Sequence, residues 1–169
     1  ARDYPPELTL SIMMRQKLKN PAAGYATDFI DFIRRALPQL VKKQIRVVTN
    51  AGGLNPKACR TKIFEVAREL GVSGFKVGVV EGDDLLGRLP DLLGRGHELR
   101  NMDSGAPLAP RLSQVTSANA YIGARPVAEA LDGGALIVLC GRVTDTALAL
   151  GPLVHEFGWA ADDWDRLAA

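Results

Sequence analysis

Polar residues and glycines gather directly after three short apolar runs, and these places hold most of the side chains that could do chemistry. The first is Val47-Val48-Thr49 followed by Asn50-Ala51-Gly52-Gly53-Leu54-Asn55-Pro56. Gly52 and Gly53 allow close backbone approach to a phosphate or carboxylate, and a helix opening at Pro56 adds partial positive charge. Asn50 and Asn55 flank the glycines as candidate ligand contacts. The plainer alternative is a strand-to-helix turn that needs its glycines for geometry alone. Neither GxGxxG nor GxxxxGK[ST] is present, so both standard nucleotide fingerprints are missing.

The second place is Val79-Val80-Glu81-Gly82-Asp83-Asp84. Carboxylates at a strand end could bind a hydroxyl, hold Mg²⁺ or move a proton, with Glu81 nearest the strand. The alternative is that Asp83 or Asp84 caps the next helix. The third is Cys140-Gly141-Arg142-Val143-Thr144-Asp145. Arg142 suits a planar anionic group, and Asp145 is either a proton-transfer group or a charge favouring a helix N-terminus. Cys140 reads as a buried, inert thiol rather than a nucleophile. Ser117-Ala118-Asn119-Ala120-Tyr121 adds Asn119 and Tyr121, which could hydrogen-bond a substrate carbonyl or hydroxyl, or simply form a turn. Catalytic candidates are therefore Glu81, Asp83 and Asp145. Binding candidates are Asn50, Gly52, Gly53, Asn55, Asn119, Tyr121 and Arg142. His97 and Asp103 could move protons only if the segment carrying them is a lid, and His155 reads as a structural histidine. There is no G-x-S-x-G elbow for a Ser–His–Asp hydrolase.

Elements that would position these residues are legible in the periodicity. Glu7–Asn20 reads as a helix with Leu8, Ile12 and Met13 on one stripe, stopped by Asn20-Pro21. Thr27 or Asp28 caps a second helix to about Lys43, with Pro38 inside. Strands are expected at 45–49, 75–80 and 135–140, the last apolar throughout and so buried on both faces. Asn55 and Pro56 open a helix that ends at Gly71. A short helix follows Asp83 or Asp84, and residues 96–113 form a long loop. Pro126 opens a helix to Asp132, and Thr144 or Asp145 caps another through Phe157. Alternating strands and helices predict an α/β fold, Rossmann-like and three-layered, with a mainly parallel sheet flanked by helices. Three strands are few for such a sheet, and the last helix lacks an end signal. A single α/β domain over 1–169, truncated at both ends, is the expected organisation.

Bulk properties narrow the partners. With 169 residues, 47% hydrophobic and 24% charged, the chain is globular in composition. A net charge of +2, without clustered Lys/Arg and aromatics, argues against nucleic acid. No apolar run approaches the ~20 residues that span a bilayer, and no signal segment opens the chain. Two cysteines and two histidines lack zinc-ligand spacing, so no metal is expected, and no cofactor is named by these motifs. Cysteine usage fits a reduced, cytoplasmic setting.

These residues together resemble the N-terminal domain of the acyclic terpene utilisation (AtuA) family. The similarity runs through Glu7-Leu8-Thr9-Leu10-Ser11, then Asn20-Pro21-Ala22-Ala23-Gly24-Tyr25-Ala26-Thr27-Asp28-Phe29, and Thr49 to Pro56. It continues in Glu81-Gly82-Asp83-Asp84, Ser117 to Tyr121, Gly141 to Asp145, and Gly151-Pro152-Leu153 with His155 to Trp159. Members are longer, which implies a fragment here. The resemblance implies a part in bacterial breakdown of acyclic isoprenoids such as citronellol and geraniol, through CoA thioesters. It supplies a pathway and no catalytic residue. Two readings follow: an enzyme binding a small-molecule substrate, an acyl-CoA or branched carboxylic acid derivative, with homo-oligomers compatible; or a non-catalytic subunit or scaffold of the same pathway.

Overall fold

The computed structural model describes residues 1, 3, 4 and 6–168, with side chains for all of these except 6–8. Seven helices and three strands are present among them. They run α1 (Pro6–Lys19), α2 (Thr27–Lys43), β1 (Val47–Thr49), α3 (Pro56–Glu69), β2 (Val77–Val80), α4 (Leu89–Gly94), α5 (Arg125–Asp132), β3 (Ile137–Cys140), α6 (Ala147–Phe157) and α7 (Trp164–Leu167). The sheet is wholly parallel in the order β1-β3-β2. Val47 pairs with Ile137 and Thr49 with Leu139, while Val77 pairs with Ile137 and Val80 with Cys140. This is the expected α/β architecture, a parallel sheet between helical layers.

Strand β3 divides the core. Ile137 and Leu139 pack into a cluster with Phe29, Ile33 and Leu37 of α2 and Ile63 and Val66 of α3. Val138 and Cys140 point to the other face, against Val127 and Leu131 of α5 and Leu148 of α6. The period-two alternation of a strand explains this split, and it explains why all four β3 residues are buried. Gly78 of β2 keeps the α5 layer close, since an added Cβ would lie 3.0 Å from Cβ of Ala130. The helices that follow β1 and β3 leave toward opposite faces of the sheet. In open α/β folds this divergence opens a crevice at the strands' carboxyl ends.

Helix starts follow their sequence signals in part. Asn55 caps α3 with its side chain on the Ala58 N–H, and Pro56 begins the helix. Elsewhere the expected caps are displaced. Ala26 precedes α2 and makes no side-chain cap bond, while the Asp28 carboxylate accepts from the Tyr4 hydroxyl at 3.0 Å. Thr146 precedes α6 with no side-chain cap bond, and the backbone N–H of Thr144 is engaged with the Ile122 carbonyl. Strands also begin later than their apolar runs. The Ile45 N–H still bonds Leu40 O at the end of α2, and Phe75 stacks on Phe64. In α1, Met13 is buried but Ile12 is half exposed, so the expected stripe is only partly inward. Leu8 lies outside the described side chains. The expected loop over 96–113 contains an Asn101 turn accepting from Asp103 and Ser104, and a 3-10 turn, Ala109–Gln114, begins within it and ends one residue beyond.

Candidate functional site

Parallel pairing puts the three polar turns on one rim of the sheet, and two groups of hydrogen bonds organise that rim. The first group ties residues 20–26 to the turn after β1. The Asn55 amide donates to Pro21 O and Ala23 O at 2.9 Å each, Leu54 N–H to Gly24 O, and Ala26 N–H to Ala51 O. Lys17 of α1 reaches over to Leu54 O at 2.8 Å. Two separate motifs of the sequence are thus one structural unit. Gly52 is required by packing, as a Cβ there would sit 2.6 Å from Cys140 O and 2.7 Å from Cβ of Pro56. Gly53, at φ +53°, sits against the Met13 sulfur and Gly24 O. Asn50 is buried, and its amide binds Asp3 and Tyr4 rather than facing solvent.

The second group centres on Asp83, whose carboxylate is buried. Its Oδ2 accepts the Arg142 backbone N–H at 2.7 Å and the Asn119 amide at 2.9 Å. Its backbone O accepts from Ala120 N–H, and Leu85 N–H bonds Ala118 O. Asp84 pairs with Asn119 in an antiparallel bridge and holds the next turn through Leu86 N–H. Neither expected aspartate caps the helix: α4 begins at Leu89 after Arg88 with no side-chain cap bond, and Asp84 holds the turn before it. Asp83 instead joins the ends of β2 and β3 to residues 118–120.

Between the two groups lies a cleft of about 240 Å³. Glu81, Asp83 and Asn119 line one side, Gly53 and Asn55 the other, with Lys17 and Lys57 beside them. Glu81 is partly exposed and pairs with Lys57 at 3.1 Å. Five of the ten sequence candidates therefore meet here. Asn50, Gly52, Tyr121, Arg142 and Asp145 do not line this cleft, and neither do His97 and Asp103. The Tyr121 ring covers the Arg142 guanidinium at 4.6 Å, and Asp145 lies 4.0 Å from Arg142 Nη2. His155 has Asp132 and Arg46 at its two ring nitrogens, as expected of a structural histidine.

Lys17 and Lys57 escaped the sequence reading. Lys57 had a signal: a cation in the first turn of a helix opposes the macrodipole, and α3 has no acidic residue there to balance it. Lys17 looked like an ordinary C-terminal cation of α1.

Cys140 and Cys59 are both fully buried. Burial pushes the Cys140 thiol up to about 12, with the Asp83 charge adding to the shift, and burial alone raises Cys59 to about 12. Neither is an activated nucleophile. A thiol reagent such as 5,5′-dithiobis(2-nitrobenzoate) should react with both only after unfolding. Labelling of native protein at the rate of free cysteine would contradict this.

Among the described residues, no group of three His, Cys, Asp or Glu lies placed to hold a metal ion, and no helix is long and apolar enough to cross a membrane. The family model described as acyclic terpene utilisation family protein AtuA matches residues 1–169. Neither the curated proteins nor the solved structures contain a match.

Proposed function

The chain belongs to the acyclic terpene utilisation family, with a role in terpene utilisation, and from that premise we propose a ligand. Residues 1–169, as one α/β domain, bind and act on a small branched carboxylic acid derivative or its acyl-CoA thioester at the strands' carboxyl ends. The observation that carries this reading is the meeting of three carboxylates, Glu81, Asp83 and Asp84, with two lysines and the start of α3 around one cleft. Lys57 and Lys17, with the positive end of the α3 dipole, attract a polarised oxygen. Glu81, partly exposed and paired with Lys57, moves the proton. Asn119, held by Asp83, donates to a carbonyl. At about 240 Å³ the cleft takes the reacting end of a ligand, because whole drug-sized ligands need roughly 300–1,000 Å³. The remaining chain or CoA moiety extends outside it.

The engagement of Asn50, Gly52 and Asn55 in packing favours the second reading, a non-catalytic subunit whose turns are shaped by the fold. Thermal shift separates the two. Ligand at about 100 times its Kd adds about 2.7 kcal/mol of stability, which raises Tm by roughly 5–10 °C for a chain of this size. Glu81→Gln should keep that shift and lose turnover, while Lys57→Ala should weaken binding about tenfold, as expected for one charge-assisted contact. If no branched acid or thioester shifts Tm, and partner capture survives alanine at Asn50, Glu81 and Arg142, the scaffold reading replaces the enzyme.

A further inference from the structure

Arg142 is 5% exposed, yet its Nε and Nη2 atoms have no hydrogen-bond partner. They are the only buried side-chain nitrogen or oxygen atoms in that condition among the described residues. A native fold almost always satisfies such groups, so an unfilled pair on one edge of a guanidinium calls for a cause. That edge is the one that grips a carboxylate with two parallel N–H bonds. The nearest internal carboxylate, Asp145, stands 4.0 Å from Nη2, beyond hydrogen-bond reach, and is two-thirds exposed. Asp83 is engaged with the Arg142 backbone instead.

One of the groups covering the guanidinium is an exposed ring. Tyr121 stacks on it at 4.6 Å and is itself 59% exposed, so little packing resists its rotation. The ring also forms one end of a groove of about 590 Å³ between α1 and residues 116–121. Leu10, Met14 and Leu18, spaced four apart, present an apolar wall there, and Arg15 adds a second cation. Arg142 does not line the groove itself, but the ring that does lies over its guanidinium, so a hydrocarbon wall and an unpaired arginine stand on either side of Tyr121 and suit a chain with an anionic head.

We propose that Arg142 anchors the carboxylate of a branched aliphatic acid, with Tyr121 as the shutter and the α1 groove holding the chain. This rests on the reading of the protein as a binder of branched acid derivatives but goes beyond the Glu81 cleft, which Arg142 does not line, to a second site for the free acid. The thioester's acyl end has no charge for Arg142 to hold.

Isothermal titration with a medium-chain methyl-branched acid, its primary alcohol and its CoA thioester tests the proposal. Wild type should bind the acid and not the alcohol. Arg142→Met should lose roughly 30-fold or more in acid affinity, as for a hydrogen-bonded charged pair. Its Tm should be unchanged or higher, because an unpaired buried charge has been replaced by a well-packed apolar chain. Arg142→Lys keeps the charge without the two-nitrogen edge and should also lose most of the affinity. Tyr121→Ala should bind at least as tightly, with faster association. Arg142→Met that binds the acid like wild type overturns the proposal, as does a fall in its Tm of more than about 5 °C, which would make the arginine structural. Loss of acid binding in Lys57→Ala but not Arg142→Met, or binding of the thioester alone, also overturns it while leaving the cleft reading standing. Failure of both acid and thioester to bind wild type overturns both.

Discussion

Asp83→Ala should cost about 3–5 kcal/mol of stability and abolish ligand binding in the same step. The carboxylate is buried and accepts two hydrogen bonds, from the Arg142 backbone and the Asn119 amide. Bonds to a charged group contribute about 1.5–3 kcal/mol each, and their loss leaves a buried N–H without a partner. Thermal denaturation should show a fall in Tm of roughly 10 °C for a chain of this length. Binding fails with it because Asn119 and the 118–120 segment lose the contact that orients them toward the cleft. Asp83→Asn keeps one acceptor oxygen and should show a smaller loss. The contrast is Glu81→Gln, at an exposed position, where stability should stay within about 0.5 kcal/mol. If Asp83→Ala unfolds within a degree or two of wild type, the carboxylate does not hold the rim together.

Gly52→Ala should be the next most damaging change, at about 2–3 kcal/mol, the upper range for forcing extra atoms into a packed site. The added Cβ would meet Cys140 O at 2.6 Å and Cβ of Pro56 at 2.7 Å. One neighbour is strand backbone and the other a proline ring at a helix start, so neither can turn aside as a flexible side chain would. The turn after β1 must lift from the end of β3, carrying with it the neighbouring Gly53 and Asn55 that line the cleft. Gly123→Ala is the matched control, with nothing within 4 Å of its Cβ and no left-handed φ. It should be neutral within about 0.5 kcal/mol. Chemical denaturation of both variants gives the comparison. Equal midpoints for the two would show that the turn has slack.

How far the sequence carried the site depended on the range of the interactions involved. Strand β3 and the start of α3 were legible because their signals are local: a continuous apolar run, and an Asn-Pro pair at a helix opening. The cap expected of Asp28 was displaced as a distant group, the Tyr4 hydroxyl, engages its carboxylate, while α6 starts at Ala147 without a side-chain cap. Asp83 was legible as a polar residue at a strand end. Its tie to Arg142, 59 positions away, has no local pattern to reveal it. Asn50 and Asn55 have the residue type of a ligand contact, yet their amides face Asp3 and Tyr4 and the Pro21 and Ala23 carbonyls. Residue type and loop position could not distinguish a side chain that waits for a ligand from one that binds its own backbone.

The alternation of β3 has a further consequence for how the molecule comes apart. Ile137 and Leu139 belong to one half of the core and Val138 and Cys140 to the other, so four consecutive residues are a shared wall. Neither helical layer can detach without stripping cover from the strand that the opposite layer still grips. The two halves are thermodynamically coupled, and loosening is confined to the periphery until the whole sheet gives way as a single cooperative unit. The rim turns grow from the ends of these same strands, so the backbone framing the site is anchored in that shared wall.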